Sequence, residues 1–282
     1  MNLTGELKKI YDELLMPVDT NIELKSVILT EENRDKIRQF IKENKYKHKF
    51  IEYGLQPMNR LLFYGASGCG KTFLAKALTN HLEYTMLYVD IAKSLSEGSV
   101  AINISNIFKL ANYIGNCTIF FDEADSIAWS RDANTPEAGD VRRATNSIFQ
   151  HLDQMNPTNI FISATNMLHR LDPAFERRFN MKLEFRRPEM EIKETIRTFL
   201  FPKFRLIDDV DRTVQDIVER RTRLSFYEIQ GIVERAMKRA IMNDTNEVRT
   251  SDIYEDLSVA MKIKIHFKTD DDPEEIFQSS IK

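Results

Sequence analysis

The sequence predicts an α/β fold, a parallel sheet with helices on both faces, followed by a small all-helical subdomain. Short continuous apolar runs recur at residues 61–64, 86–91, 117–121 and 160–164. Segments of helical period separate them, at residues 71–82, 102–113 and 141–155. Unbroken apolar strands alternating with amphipathic helices indicate a parallel sheet covered on both sides. Past Pro188 four more segments read as helices, with no strand among them.

At the amino terminus, Leu3, Leu7, Ile10, Tyr11 and Leu14 recur at helical spacing and form one apolar stripe. Packed on the chain's own surface, that stripe is structural; left open, it could dock an adaptor. Residues 24–29 read as a short strand, and Thr30-Glu31-Glu32 as the cap of a helix ending near Asn44. Residues 181–185 read as a fifth core strand. The later helices are placed at residues 191–201, 211–221, 226–242 and 251–261. The resulting division is residues 1–50, a helical and short-strand segment; 51–187, the α/β core; 188–264, the helical subdomain; and 265–282, an acidic tail.

Gly65-Ala66-Ser67-Gly68-Cys69-Gly70-Lys71-Thr72 fits the pattern G-x-x-x-x-G-K-T, between an apparent strand and an apparent helix. Glycines let such a backbone curl so that successive N–H groups point at phosphate oxygens. The helix N-terminus adds partial positive charge. Lys71 is placed to reach the β and γ phosphates of a nucleotide, and Thr72 to offer a hydroxyl to Mg²⁺.

Downstream, the apolar strand at residues 117–121 ends in Asp122-Glu123. Beside a phosphate loop, Asp122 suits Mg²⁺, directly or through water, and Glu123 suits the general base that takes a proton from water. The next strand ends in Thr165-Asn166, whose amide could hold the γ phosphate and orient that water. Arg177 and Arg178 stand just before the fifth strand. A guanidinium at the γ phosphate favours phosphoryl transfer and is often supplied by a neighbouring molecule.

Together these residues resemble the AAA+ ATPases, and within them the protein-remodelling branch that includes katanin, fidgetin and FtsH. Gly65–Thr72 resembles the Walker A motif, Phe120–Glu123 the Walker B motif and Asn166 the first sensor, while Arg177 and Arg178 match the arginine fingers. The resemblance implies a P-loop NTPase core with a helical lid and ATP and Mg²⁺ as cofactors. It also implies a homo-oligomeric ring, most often a hexamer, acting on a protein client.

The chain departs from that pattern in three places. Ser96-Glu97-Gly98 stands where the branch carries an aromatic, client-gripping pore loop. Leu224-Ser225-Phe226-Tyr227 occupies the lid motif with an aromatic pair where small and acidic residues normally follow the Ser, while the lack of a second-sensor arginine fits the branch. Cys69 replaces a threonine, which makes it either an oxidation-sensitive position or a tolerated variation. Asp122-Glu123-Ala124-Asp125 also spells the D-E-A-D of an RNA helicase, but too little chain follows for a second α/β domain. A DNA-associated regulator of the same superfamily and a nucleotide-gated switch on a neighbouring enzyme, such as a HORMA-type or protease partner, are the rival readings.

Composition narrows the field. Hydrophobic residues make up 42% and charged residues 29%, the balance of a soluble globular protein. A net charge of −3 offers no general pull toward nucleic acid or anionic membrane. Two cysteines form no disulfide framework, the N-terminus lacks a signal-peptide pattern, and no apolar stretch is long enough to span a membrane. A cytoplasmic protein is expected. The five histidines show no metal-site spacing.

Overall fold

A computed structural model describes residues 5–96, 100–124, 136–188, 191–200, 203–212, 214–215 and 224–266. The chain divides into two compact units, Met1–Arg187 and Pro188–Lys282.

The first unit begins with α1 (Glu6–Leu14) and the two-residue strand β1 (Leu15–Met16), then a 3₁₀ turn at Leu24–Ser26. Helices α2 (Glu31–Lys45) and α3 (Lys47–Glu52) precede β2 (Arg60–Gly65) and α4 (Lys71–His81). Then come β3 (Thr85–Val89), α5 (Ile91–Ser96), α6 (Val100–Ile114), β4 (Cys117–Phe121), α7 (Pro136–Asp153), β5 (Ile160–Thr165), α8 (Pro173–Glu176) and β6 (Met181–Phe185). The strands lie in the order β1-β3-β4-β5-β2-β6. All pairings are parallel except β1 with β3, where Leu15 opposes Val89 and Met16 opposes Tyr88.

Alternation along the strands feeds both faces of the sheet. Leu62, Leu87, Ile119, Phe121 and Phe161 share a core with Ile104, Ile107 and Phe108 of α6 and Ile148 and Leu152 of α7. Their neighbours Leu61, Phe63 and Phe120, pointing the other way, are also fully buried, as are Leu74 and Ala77 of α4. The predicted fold class stands: a parallel sheet with helices on both sides and a helical region after it.

The apolar stripe of α1 packs on its own unit. Ile10 and Leu14 are buried in the α6 core, with Leu7 and Tyr11 against it; Leu3 lies outside the described residues. Residues 24–29 form no strand: Leu24–Ser26 is a 3₁₀ turn, closed by the Val27 N–H on the Leu24 carbonyl. The Thr30 cap is present, its side chain accepting from the Asn33 N–H.

In the second unit α9 (Ile192–Leu200), α10 (Phe226–Met242) and α11 (Thr250–His266) surround one core that includes Ile196, Val214, Ile232, Val233 and Leu257. A capping box starts α10: Ser225 accepts from the Glu228 N–H while the Glu228 carboxylate accepts from the Ser225 N–H. The expectation of no strand here is corrected by β7 (Arg205–Leu206) and β8 (Glu247–Val248), which pair in parallel. Two residues per strand are too few to show a period in the sequence. The helix expected at residues 211–221 and the tail at 265–282 fall largely outside the described residues, the first two residues of the tail ending α11.

Candidate nucleotide site

The parallel strands β2, β4 and β5 all deliver their carboxyl ends to one edge of the sheet, where open α/β sheets place their ligands. β2 runs directly into the glycine-rich loop. Gly65 has φ 127°, and a Cβ there would lie 2.2 Å from the Phe185 carbonyl oxygen, so strand β6 leaves room only for glycine. The same Phe185 carbonyl accepts the Ala66 N–H at 3.0 Å, which turns the chain out of the sheet. Gly68 (φ 71°) and Gly70 (φ 95°) complete the curl, Gly70 as the N-cap of α4. Ser67 and Gly68 are exposed, whereas the Cys69 side chain is buried, its Sγ 3.7 Å from the Ser67 carbonyl oxygen.

Lys71 is buried at the head of α4, and its ammonium donates to the carbonyls of Gly65 (2.7 Å) and Ala66 (2.8 Å). The lysine therefore lies over the loop on which phosphate would sit. Next to it, Thr72 Oγ1 donates to Asp122 Oδ2 at 2.7 Å, joining the two motifs.

Asp122 follows the fully buried strand β4 and takes two further donors. The Tyr88 hydroxyl, from β3, donates to the same Oδ2 at 2.8 Å, and the Glu123 N–H donates to Oδ1 at 3.1 Å. Tyr88 pairs in register with Phe120, and the two rings meet edge to face at 5.1 Å. Burial first, and then the Asp122 carboxylate, hold the Tyr88 phenol well above its ordinary range, so at neutral pH it remains a donor. Sequence reasoning missed Tyr88. Its signal was a single polar hydroxyl near the end of an apolar strand three places from the loop-bearing one.

Glu123 is exposed and adopts a left-handed backbone, φ 54°, uncommon outside glycine and asparagine. That turn lifts its side chain out of the strand line. Asn166 is exposed just beyond β5, where Tyr64 pairs with Thr165 and so sets the loop and Asn166 on adjacent strand ends. Thr165 Oγ1 accepts the Met167 N–H at 2.9 Å and fixes the turn that follows.

Arg177 and Arg178 lie elsewhere. Asp172 caps the short helix α8 by accepting the Ala174 N–H at 2.7 Å, and Phe175 and Phe179 are buried on either side of the arginine pair. Asn180 then locks to the beginning of β2: its N–H donates to the Arg60 carbonyl, and its Oδ1 accepts from the Asn59 and Arg60 N–H groups. The arginines thus sit at the amino-terminal end of the strand whose carboxyl end is the phosphate loop, about 17 Å away along β2 at 3.3 Å per residue. The two differ in setting. Arg177 is exposed, while Arg178 stacks over the Phe149 ring at 4.0 Å, donates to the Ala174 carbonyl at 3.2 Å and faces Asp153 at 3.5 Å.

The donor set suits a nucleotide triphosphate with Mg²⁺. Inward-curling backbone at positive φ, a buried lysine and a hydroxyl–carboxylate pair are the elements that a phosphate chain and a hard cation require.

Comparison with known proteins gives the family. The family model for the AAA family, "ATPase family associated with various cellular activities", matches residues 61–187. An uncharacterised AAA family ATPase of Sinorhizobium fredii is 31% identical over 228 residues, covering 80% of this chain and 67% of its own length. A 26S proteasome regulatory subunit 6B homolog of Dictyostelium discoideum is 33% identical over 226 residues, 77% of this chain and 55% of that one. Its counterpart in Encephalitozoon cuniculi is 32% identical over 215 residues, 73% and 54% respectively. The chain spans about half the length of these two proteasome subunits. It belongs to the AAA family of ATPases. Among the described residues no helix is long and apolar enough to cross a membrane. Of the residues singled out in the sequence, Glu97, Gly98 and Asp125 lie outside the described residues.

Proposed function

We propose that the chain hydrolyses ATP to ADP and phosphate within a ring of its own copies, six in this reading, and uses the cycle to remodel a protein client. The separation of the two ends of β2 carries the ring assembly. An exposed Arg177 close to the start of β2, a strand about 17 Å long that carries the phosphate loop at its other end, is badly placed to serve that loop and well placed to serve a neighbour's. Gly65, Ala66, Ser67, Gly68, Cys69 and Gly70 would wrap the phosphates with their backbone, and Lys71 would leave the Gly65 and Ala66 carbonyls for phosphate oxygens. Thr72 and Asp122 would hold Mg²⁺, which when bound neutralises phosphate charge.

In this reading Glu123 accepts a proton as water attacks the γ phosphorus and ADP departs. Asn166 orients that water. Arg177 and Arg178 of the adjacent copy stabilise the developing charge, Arg178 only after releasing Asp153. Kinship with proteasome regulatory subunits favours a protein client over DNA, as does the net charge of −3. The chain is placed in the cytoplasm on the same reading.

Mixing tests the core of it. Arg177→Ala keeps an intact phosphate loop and Lys71→Ala keeps an intact arginine, so each alone should be inactive. Together they should recover phosphate release. A mixture as dead as its components, under conditions where the wild type assembles, would overturn the shared site. The client is sought by pull-down with Glu123→Gln in ATP, with Lys71→Ala as the control. A protein enriched by the first alone supports remodelling; DNA, or the chain alone, argues against it.

A further inference from the structure

Asp122 is held by three donors from three directions. Thr72 approaches from α4 and Tyr88 from β3, both onto Oδ2, while the Glu123 N–H closes on Oδ1. Tyr88 is the one of the three that belongs to none of the nucleotide motifs. Its ring is braced edge-on against Phe120, the residue two before Asp122, and its neighbours Leu87 and Val89 are buried in the core on the opposite side of the sheet. A phenol reaching across from a braced position on the adjacent strand restricts the rotation of the Asp122 side chain in a way that a flexible donor cannot.

We propose that Tyr88 is a positioning residue for the Mg²⁺ site, acting through Asp122. The proposal rests on the ATPase reading above and adds a residue to it. With its proton committed to Asp122 Oδ2, the Thr72 hydroxyl presents only lone pairs, the form in which it can ligate a cation. That arrangement holds only while Oδ2 stays where Thr72 can reach it, and Tyr88 keeps it there. The Glu123 N–H on Oδ1 extends the constraint to the start of the segment bearing the proposed base. Outer partners that orient a metal-binding carboxylate commonly change metal affinity or activity by on the order of tenfold or more when removed.

Tyr88→Phe removes the hydroxyl and keeps the ring that packs on Phe120. Binding of a fluorescent ATP analogue is measured for wild type and variant in excess Mg²⁺ and in EDTA, and phosphate release is followed across a Mg²⁺ titration. In EDTA the two proteins should bind alike. In Mg²⁺ the variant should lose on the order of tenfold of the metal-dependent tightening. Its half-saturating Mg²⁺ concentration should rise by a similar factor, with the thermal unfolding midpoint little changed. Superimposable Mg²⁺ curves would overturn the role of Tyr88 and leave the ATPase reading intact. An equal loss in EDTA and Mg²⁺ would mark a merely structural hydroxyl and also overturn it. Wild-type protein that binds the analogue no better with Mg²⁺ than without would overturn the ATPase reading together with the inference built on it.

Discussion

Gly65 and Phe185 meet so closely that the first atom of any side chain at Gly65 would fall 2.2 Å from the Phe185 carbonyl oxygen. That oxygen also accepts the Ala66 N–H, so the phosphate loop hangs from strand β6 as well as from its own strand.

Gly65→Ala should therefore cost both fold and ligand. Strain at φ 127° adds to a backbone clash. Together they predict a loss of about 2–3 kcal/mol in urea unfolding, with nucleotide binding abolished. Gly54→Ala is the comparison: its φ is also positive, 72°, but nothing lies within 4 Å of the added atom. It should cost about 1 kcal/mol and leave binding unchanged.

Glu123 and Lys71 should separate turnover from binding. Glu123→Gln is expected to retain ATP affinity while phosphate release falls by about 10²- to 10⁴-fold. Lys71→Ala is expected to lose binding itself. Equal affinities in these two variants would contradict the assignment.

The two arginines should part on stability. Arg178 stacks on Phe149 and bonds the Ala174 carbonyl, so Arg178→Ala should lower stability by about 1–2 kcal/mol. Arg177 is exposed, and Arg177→Ala should melt like the wild type while losing turnover. Identical melting of both variants would count against the clamp.

Cys117 should be inert in the native protein. Burial pushes its thiol up to about 12, and the side chain is fully enclosed, with Sγ 3.5 Å from the Ala111 carbonyl oxygen. At pH 8 roughly one such thiol in ten thousand would be ionised even with free access. Mass spectrometry after iodoacetamide should show Cys117 unmodified in buffer and fully alkylated in denaturing urea. The sign for stability follows. The folded state keeps a proton that the unfolded chain releases near pH 9, so this contribution is intact below that pH and declines as the pH rises toward about 12.

Much of the site was legible because its residues sit at the ends of continuous apolar strands, which the sequence marks clearly. The strand limits read at residues 117–121 and 181–185 matched β4 and β6 residue for residue. Four kinds of feature stayed hidden. Contacts between distant segments, such as Tyr88 on Asp122 or Phe185 on Gly65, have no local signature. Two-residue strands such as β1, β7 and β8 are too short to show a period. Residues 24–29 read as a strand, yet Leu24, Lys25 and Ser26 form a 3₁₀ turn, and only Leu24 of those three is apolar. The different settings of Arg177 and Arg178 were equally invisible, because only the packing of Phe149 and Asp153 tells the adjacent arginines apart.

The antiparallel strand β1 has a further consequence. Leu15 and Met16 pair with Val89 and Tyr88, and the Asp90 N–H is taken by the Leu14 carbonyl, so the β3 margin of the sheet is covered by a strand only two residues long. An uncovered β3 would offer a row of open amides to any other extended chain, whereas so brief a cover gives a stray strand little to align with. Residues 5–16 thus act as a guard against aggregation, and removing residues 1–16 should make the chain self-associate through its sheet.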